Sequence, residues 1–321
     1  TPKPSSAASD VYKRQISTYN AFANQVFRDN ALALGYESDA TLISEASAFQ
    51  LAREVCVRFG SDVSGTLSDL ELNIDSLVEK VIELARALND NGQTASNLQS
   101  EIQRTVDHIA RLPKKTGEEV TSRFGYVETI VEELKPAPLV AELAEIFQKE
   151  KKLRSMVDYS DQVALALRAV TEFPESGNLL RDSFTQVMLD EYQDTSVLQT
   201  RLLSNLFGSR SVFAVGDPNQ SIYGWRGASA SNLDEFAADF GSAKAFSLKT
   251  SWRNPISVLE KANEISLPLA RQASFETPKP IEQRVLPVTL EAMPDAPIGQ
   301  VEVRFLETIE HEAQQIADWF K

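Results

Sequence analysis

FTQVMLDEYQDTS, residues 184–196, is the stretch of sequence that decides the fold. The apolar residues 187–189 predict a short buried strand that ends at a polar loop. Asp190 and Glu191 follow directly, at the carboxyl end of the strand, where open α/β sheets place their ligands. Adjacent acids at this position can hold Mg²⁺ and polarise an attacking water for phosphoryl transfer. A turn with two solvated acids is the alternative interpretation.

A second strand and loop follow in SVFAVGDPNQSIYGWRGA, residues 211–228. Residues 212–215 predict a buried strand, and Gly216 permits a tight exit into a turn. Gln220 stands just after the turn, and a neutral amide there can hydrogen-bond both a phosphate oxygen and a lytic water. The segment therefore favours a site that detects a terminal phosphate.

Aromatic and basic residues follow these two strand-and-loop segments in the sequence. Tyr223, Trp225 and Arg226 lie among glycines, which suits stacking on unpaired bases, although isolated aromatic residues are more commonly part of a core. The segment FSLKTSWRNP then presents Trp252 and Arg253 after an apolar run. A tryptophan and an arginine in this position can serve as a purine-stacking side chain and an arginine finger.

The periodicity of the chain divides it into a helical block and an α/β region. Residues 41–150 show helical periodicity throughout, which predicts an all-helical block. From about residue 154, short apolar runs alternate with helices, which predicts a parallel α/β sheet. The predicted strands are 187–189, 211–215, 245–248 and 301–306, and the predicted helices around them are 197–207, 256–265 and 309–320, with Thr308 as the last N-cap. The basic run KEKKLR, residues 149–154, predicts a solvated surface in preference to DNA contacts.

Composition narrows the function classes. The 321 residues include 32 Lys and Arg and 46 Asp and Glu, which gives a net charge of −14. This charge argues against generic adhesion to nucleic acid, but a local groove could still bind it. One cysteine and two histidines exclude a disulfide framework and a thiolate zinc site, which favours a cytoplasmic setting. No apolar run approaches the ~18 to 20 residues of a membrane span, so no membrane partner is expected.

Three motifs in order resemble those of a known family. LDEYQDTS, then VGDPNQSIYGWRGA, then LKTSWRNP are similar to motifs II, III and IV of the UvrD/Rep/PcrA helicases of superfamily 1A. STYNAFA, residues 17–23, resembles motif Ib, with Tyr19 and Asn20 where the family usually has Phe and His. VDYSDQVALAL, residues 157–167, resembles the segment before motif II.

The resemblance implies an ATP-dependent helicase that moves 3′ to 5′ along single-stranded DNA and separates duplexes. It implies that Asp190 and Glu191 bind Mg²⁺ and that Glu191 is the catalytic base. Gln220 would contact the γ-phosphate of ATP, Arg253 would be the arginine finger and Trp252 would stack on the adenine. The implied contacts to single-stranded DNA and to single-strand/duplex junctions are Tyr19, Asn20, Tyr223, Trp225 and Arg226.

The resemblance also implies a domain organisation. The fold would be α/β, with an incomplete RecA-like parallel-sheet motor domain (1A) that carries an inserted all-helical domain (1B), and the start of a second RecA-like domain (2A). The implied boundaries are 16–40 and 151–243 for 1A, 41–150 for 1B and 244–321 for 2A, and residues 1–15 would be a disordered or non-native leader.

One departure from the family limits the expected activity. No Gly-Lys dipeptide occurs in the chain, so the phosphate-binding loop G-x-x-x-x-G-K-[ST] is absent from it. We therefore expect an internal fragment of a longer helicase, inactive as an ATPase by itself. The alternatives are a RecB- or AddA-like helicase–nuclease subunit and a non-catalytic DNA-binding remnant that kept the stacking loop.

Overall fold

The computed structural model describes residues 15–59, 73–111, 125–224, 228, 232–241, 244–276 and 288–320. The chain divides into two compact units, Thr1–Ala243 and Lys244–Lys321. The predicted leader lies outside the described residues except for Gln15, as do Trp225 and Arg226.

The first unit is rich in helices. Its described helices are Tyr19–Asp29 (α1), Glu45–Phe59 (α2), Ile74–Asp90 (α3), Ala95–Arg111 (α4), Gly125–Leu134 (α5), Ala137–Leu153 (α6), Tyr159–Glu172 (α7), Pro174–Asp182 (α8), Val197–Phe207 (α9) and Asn232–Asp239 (α10). Its described strands are Thr41–Leu42 (β1), Met156–Val157 (β2), Gln186–Leu189 (β3) and Ser211–Ala214 (β4). β1 pairs with β2 and β3 pairs with β4, both in parallel. The chain is therefore a helix-rich α/β protein with small parallel sheets.

Side-chain caps explain where two of these helices begin. The Ser196 hydroxyl accepts a hydrogen bond from the backbone N–H of Gln199, and the Gln199 side chain accepts one from the backbone N–H of Ser196, which forms a capping box at the start of α9. Asp158 and Asp161 form the same device at the start of α7. The predicted helix 197–207 is confirmed, and the residues that start it are close together in the sequence.

Three hydrophobic clusters hold the described part of the first unit together, and the two larger ones have different locations. One is built from α2, α3 and α6, where apolar residues repeat at helical spacing and include the buried Cys56 and Phe147. The other lies under the β3–β4 sheet, where Leu189 and Tyr192 pack with apolar residues of α1, α7 and α9. The second cluster supports the strand ends that carry the candidate site.

The second unit contains fewer described elements. These are Thr250–Ser251 (β5), Ile256–Glu276 (α11), Glu291–Ala292 (β6) and Ile309–Trp319 (α12), with β5 and β6 paired in parallel. The predicted N-cap of α12 is confirmed, since the Thr308 hydroxyl accepts a hydrogen bond from the backbone N–H of His311 at 3.2 Å. α11 continues to Glu276, well beyond the predicted end near residue 265.

Two strand predictions and the start of the helical block need correction. Residues 245–248 and 301–306 form no strand, and the first short pairing of this unit falls at Thr250–Ser251 instead. Phe246 and Leu248 are 72% and 84% exposed, so these apolar side chains have no sheet face to cover. A strand is stable only when its backbone groups pair with a neighbour, and these segments have none in the described part of the chain. Residues 41–42 belong to a short strand and not to the helical block.

Candidate functional site

The candidate site lies at the carboxyl ends of β3 and β4. The two strands pair in register, with Leu189 opposite Ala214. Two backbone hydrogen bonds extend the pairing beyond the strands, from Val215 N–H to Leu189 O at 2.8 Å and from Tyr192 N–H to Val215 O at 2.9 Å. The loop that carries Asp190 and Glu191 therefore leaves the sheet beside the loop that begins at Gly216.

The backbone at Glu191 adopts an unusual conformation. Its φ of 50° and ψ of 41° lie in the left-handed region, which non-glycine residues seldom occupy. Such conformations cost free energy and concentrate at functional sites, where the surrounding structure enforces them. The Glu191 N–H donates to the Asp190 carboxylate at 3.1 Å, and both side chains are exposed at the sheet edge.

Gln193 connects the two loops. Its side-chain Nε2 donates to Glu191 Oε2 at 2.7 Å, and its Oε1 accepts from the backbone N–H of Asp217 at 3.1 Å. Gln193 is only 1% exposed. The sequence pattern does not single out this residue, because the burial of an amide depends on the path of the loop; its place two residues after Glu191 is the only sequence signal.

Gln220 joins the same set of contacts through Asp217. It ends the short 3₁₀ turn Pro218–Gln220, and its Nε2 donates to Asp217 Oδ2 at 2.9 Å. Asp217 Oδ1 accepts from the backbone N–H of Asn219 at 2.9 Å, which closes the turn. A continuous chain of hydrogen bonds thus runs from Glu191 through Gln193 and Asp217 to Gln220.

The first turn of α1 lies against this edge of the sheet. The Tyr19 hydroxyl donates to the backbone carbonyl of Asp190 at 2.6 Å. Burial, followed by the nearby Tyr192 and acidic side chains, raises the pKa of Tyr19 well above its usual value. Asn20 Oδ1 accepts from Gln199 Nε2 at 3.0 Å. Tyr19, which is expected at DNA, therefore also supports the acidic loop, and Asn20 contacts the first turn of α9.

Three more of the expected site residues are described by the structure. Tyr223 is partly exposed, and the backbone of Ala228 beyond it forms a β-bridge with Ser196. Trp252 and Arg253 belong to the second unit, directly after β5, where Trp252 is 73% exposed and Arg253 is exposed.

Two further features of the described residues bear on ligands. In the described ranges, no group of three or more His, Cys, Asp or Glu side chains is arranged to hold a metal ion. None of the helices that the structure describes has the length and apolar character that crossing a bilayer requires.

These features define a class: a helix-rich α/β protein in which neighbouring parallel strands deliver an Asp-Glu pair and a glutamine to one sheet edge. The family of the UvrD/REP helicase N-terminal domain matches residues 5–241. Since the match covers more than half of the sequence, the chain belongs to this family of UvrD-like DNA helicases.

Individual relatives carry helicase names. The chain is 26% identical over 262 residues to DNA helicase II of Rickettsia typhi, an alignment that covers 80% of this chain and 34% of the relative. It is 26% identical over 254 residues to the ATP-dependent DNA helicase PcrA of Leuconostoc citreum, covering 78% and 28%. It is 28% identical over 191 residues to the ATP-dependent DNA helicase UvrD1 of Mycobacterium bovis, covering 57% and 23%. The chain thus spans about a third of the length of these curated relatives, or less.

Proposed function

We propose that this chain is part of an ATP-dependent DNA helicase that moves 3′ to 5′ along single-stranded DNA and unwinds duplexes in repair, replication or recombination. The activity is assigned to the complete helicase polypeptide, because the chain spans only about a third of the length of its relatives. The observation that carries the proposal is the hydrogen-bonded chain from Glu191 to Gln220 at one sheet edge.

The donor groups at this edge suit Mg²⁺ and ATP. Mg²⁺ is usually held by one or two carboxylates together with substrate phosphates, and not by a cage of protein ligands alone. Asp190 and Glu191 offer two exposed carboxylates, and the described residues hold no larger acidic cluster suited to a metal ion. The chemistry that the ion supplies when bound is neutralisation of charge on the phosphate oxygens. Asp190 would hold the ion, and Glu191 would accept the proton of the attacking water.

The other site residues receive proposed roles in the same reaction. The exposed amide of Gln220 can hydrogen-bond a γ-phosphate oxygen and so distinguish ATP from ADP. Arg253 would supply the arginine finger and Trp252 would stack on the adenine. These two side chains are exposed in the second unit, which leaves them accessible to a ligand.

A stacking surface is the proposed contact with single-stranded DNA. Tyr223 and Trp225 would stack on bases, at ~1 to 3 kcal/mol per base, and Arg226 would link them to the nucleotide site. Tyr19 and Asn20 would contribute from the first turn of α1. The hydroxyl of Tyr19 already bonds to Asp190, so its ring is the part that would meet a base.

The decisive experiment measures ATP hydrolysis by the complete helicase polypeptide with and without single-stranded DNA. Glu191→Gln should lower the DNA-stimulated rate by about 10²- to 10⁴-fold, the usual contribution of a general base, and leave DNA binding intact. Glu175→Gln, an exposed acid on α8, is the matched control and should keep the rate. Substrates with a 3′ or a 5′ single-stranded tail test the direction of unwinding.

Each outcome decides between the functions. A Glu191→Gln variant with full DNA-stimulated hydrolysis refutes the proposed mechanism. A wild-type polypeptide that binds DNA and hydrolyses no ATP would support the non-catalytic alternative, and DNA degradation that depends on ATP would support the helicase–nuclease. The relatives above have helicase names, so they favour neither alternative.

A further inference from the structure

The buried amide of Gln193 is held by partners on both sides of the candidate site. Its Nε2 donates to Glu191 Oε2 at 2.7 Å, and its Oε1 accepts from the N–H of Asp217 at 3.1 Å. Its backbone carbonyl accepts from the Ser221 hydroxyl at 3.2 Å. One residue of the first loop therefore contacts the second loop at its beginning and just beyond its 3₁₀ turn.

The chemistry of these partners allows only one orientation of the amide. A carboxylate only accepts hydrogen bonds, and a backbone N–H only donates them. Rotating the amide by 180° would place Oε1 against the Glu191 carboxylate and the NH₂ group against the Asp217 N–H. Because Gln193 is buried, water cannot replace the lost partners, so the amide holds both groups in fixed positions.

Close packing at Gly216 reinforces this arrangement. A Cβ atom at residue 216 would lie 2.5 Å from Gln193 Oε1 and 3.2 Å from its backbone nitrogen. Real Cβ atoms essentially never come within 3.0 Å of another atom, so a side chain at residue 216 would displace the Gln193 amide. The absence of a side chain here lets the Asp217 N–H come within hydrogen-bonding distance.

We propose that Gln193 is a positioning residue that ties the carboxylate of Glu191 to the loop carrying Gln220. The water-polarising carboxylate and the phosphate-contacting amide then keep a fixed separation during hydrolysis. This inference rests on the proposed function, since it assigns Gln193 a task in that reaction. Gln193 itself contacts neither ATP nor water in this scheme and acts through Glu191 and Asp217.

The test substitutes Gln193→Met in the complete helicase polypeptide, which keeps side-chain volume and removes both amide hydrogen bonds. The kcat of DNA-stimulated ATP hydrolysis should fall by roughly 10- to 100-fold, as expected when a supporting group is lost and a reacting group shifts. The KM for ATP should change by less than about 3-fold, because ground-state binding is not removed. Gln162→Met, a buried glutamine on α7, is the matched control and should keep kcat.

A double variant separates positioning from mere structural support. In a Glu191→Gln background, Gln193→Met should lower the single-turnover rate by less than about 2-fold, because groups that act as a unit lose their effects together. Gln193→Leu also removes both amide hydrogen bonds, so it should lower kcat as Gln193→Met does. This second variant also tests the proposal if Gln193→Met does not fold.

The results distinguish this inference from the function on which it rests. Unchanged kcat in a folded Gln193 variant, or a full further loss in the Glu191→Gln background, overturns the positioning role alone. Full activity of Glu191→Gln by itself overturns both the positioning role and the proposed function.

Discussion

A buried lysine in the helical block gives the sharpest stability prediction. Lys151, on α6, is 1% exposed, and its Nζ donates to Asp158 Oδ2 at 2.9 Å and to Asp161 Oδ2 at 2.6 Å. Both acids are buried at the start of α7. The ion pair therefore joins the helical cluster to the helix that packs under the sheet. We predict that Lys151→Met strongly destabilises the chain.

The expected magnitude follows from what the substitution leaves behind. Burial opposes ionisation of Asp158, yet Lys151 and Arg86 keep its pKa below the usual value. Burial raises the pKa of Asp161, although Lys151 favours its charged form. Removing the lysine leaves buried Asp161 without its cation and leaves Asp158 only Arg86, whose Nε lies 3.7 Å from Asp158 Oδ2. Breaking a buried pair in this way costs about 3 to 5 kcal/mol. Methionine preserves most of the packing against Phe147, so the loss is mainly electrostatic.

The thiol of Cys56 provides a local measurement of this unfolding. Cys56 is the only cysteine of the chain and lies in the same cluster as Phe147. Its reaction with a thiol reagent across a urea series reports when the helical block opens. With an m-value of about 1 to 3 kcal/mol per M, the predicted loss shifts the urea midpoint by about 1 M or more.

Two further variants make the test specific. Lys149→Met removes an exposed lysine paired with Glu145 at 2.7 Å, and such surface pairs contribute less than about 1 kcal/mol. Adding Asp158→Asn and Asp161→Asn to Lys151→Met should recover part of the lost stability, because neither buried carboxylate charge remains and each asparagine keeps one oxygen for the cap. The reasoning is refuted if Lys151→Met resembles Lys149→Met, or if the triple variant is no more stable than the single one.

Three other predictions concern single residues. Gly216→Ala forces a Cβ to within 2.5 Å of the Gln193 amide and should cost about 1 to 3 kcal/mol of unfolding free energy; a urea midpoint equal to wild type contradicts it. Asn232→Ala removes two buried hydrogen bonds, from Nδ2 to Thr195 O at 2.6 Å and to Thr195 Oγ1 at 2.8 Å. It should lower the free energy of unfolding by about 1 to 3 kcal/mol, measured by urea denaturation as for Gly216→Ala. Burial raises the pKa of Cys56 from 9.0 to about 11, so the unfolded chain loses this proton first and stability should fall as pH rises from 9 towards 11. Unfolding midpoints at pH 8 and pH 10 check that trend, which Cys56→Ala should weaken.

Local signals explain which parts of the fold the sequence predicts well. The strand before Asp190 is marked by three apolar residues and a polar loop, and it forms at Gln186–Leu189. Its predicted burial is wrong for Met188, which is 77% exposed. The helix after Ser196 begins with a capping box whose two members are three residues apart. The placement of Asp190 and Gln220 at one edge also follows from the sequence, since parallel strands end on the same side.

Contacts between distant segments explain what the sequence does not predict. Lys151 sits in a basic run that predicts a solvated surface, and that prediction is wrong for this residue because its partners come from the next helix. Residues 245–248 have strand-like composition, yet pairing depends on a neighbour that composition cannot specify. Gln193 is recognised only from the path of two loops, since its partners are the Glu191 side chain and the Asp217 backbone.

The two departures at the first turn of α1 bear on whether this site kept its chemistry. By the sequence resemblance, Tyr19 and Asn20 stand where the UvrD/Rep/PcrA helicases usually have Phe and His. A site that had lost its function would accumulate substitutions whose side chains form no hydrogen bonds. Here the Tyr19 hydroxyl, which phenylalanine lacks, bonds to the Asp190 carbonyl, and Asn20 bonds to the side chain that caps α9. Tyr19 thus supports the acidic loop directly, and Asn20 contacts the helix that follows this loop, so both side chains have partners, as a maintained site requires.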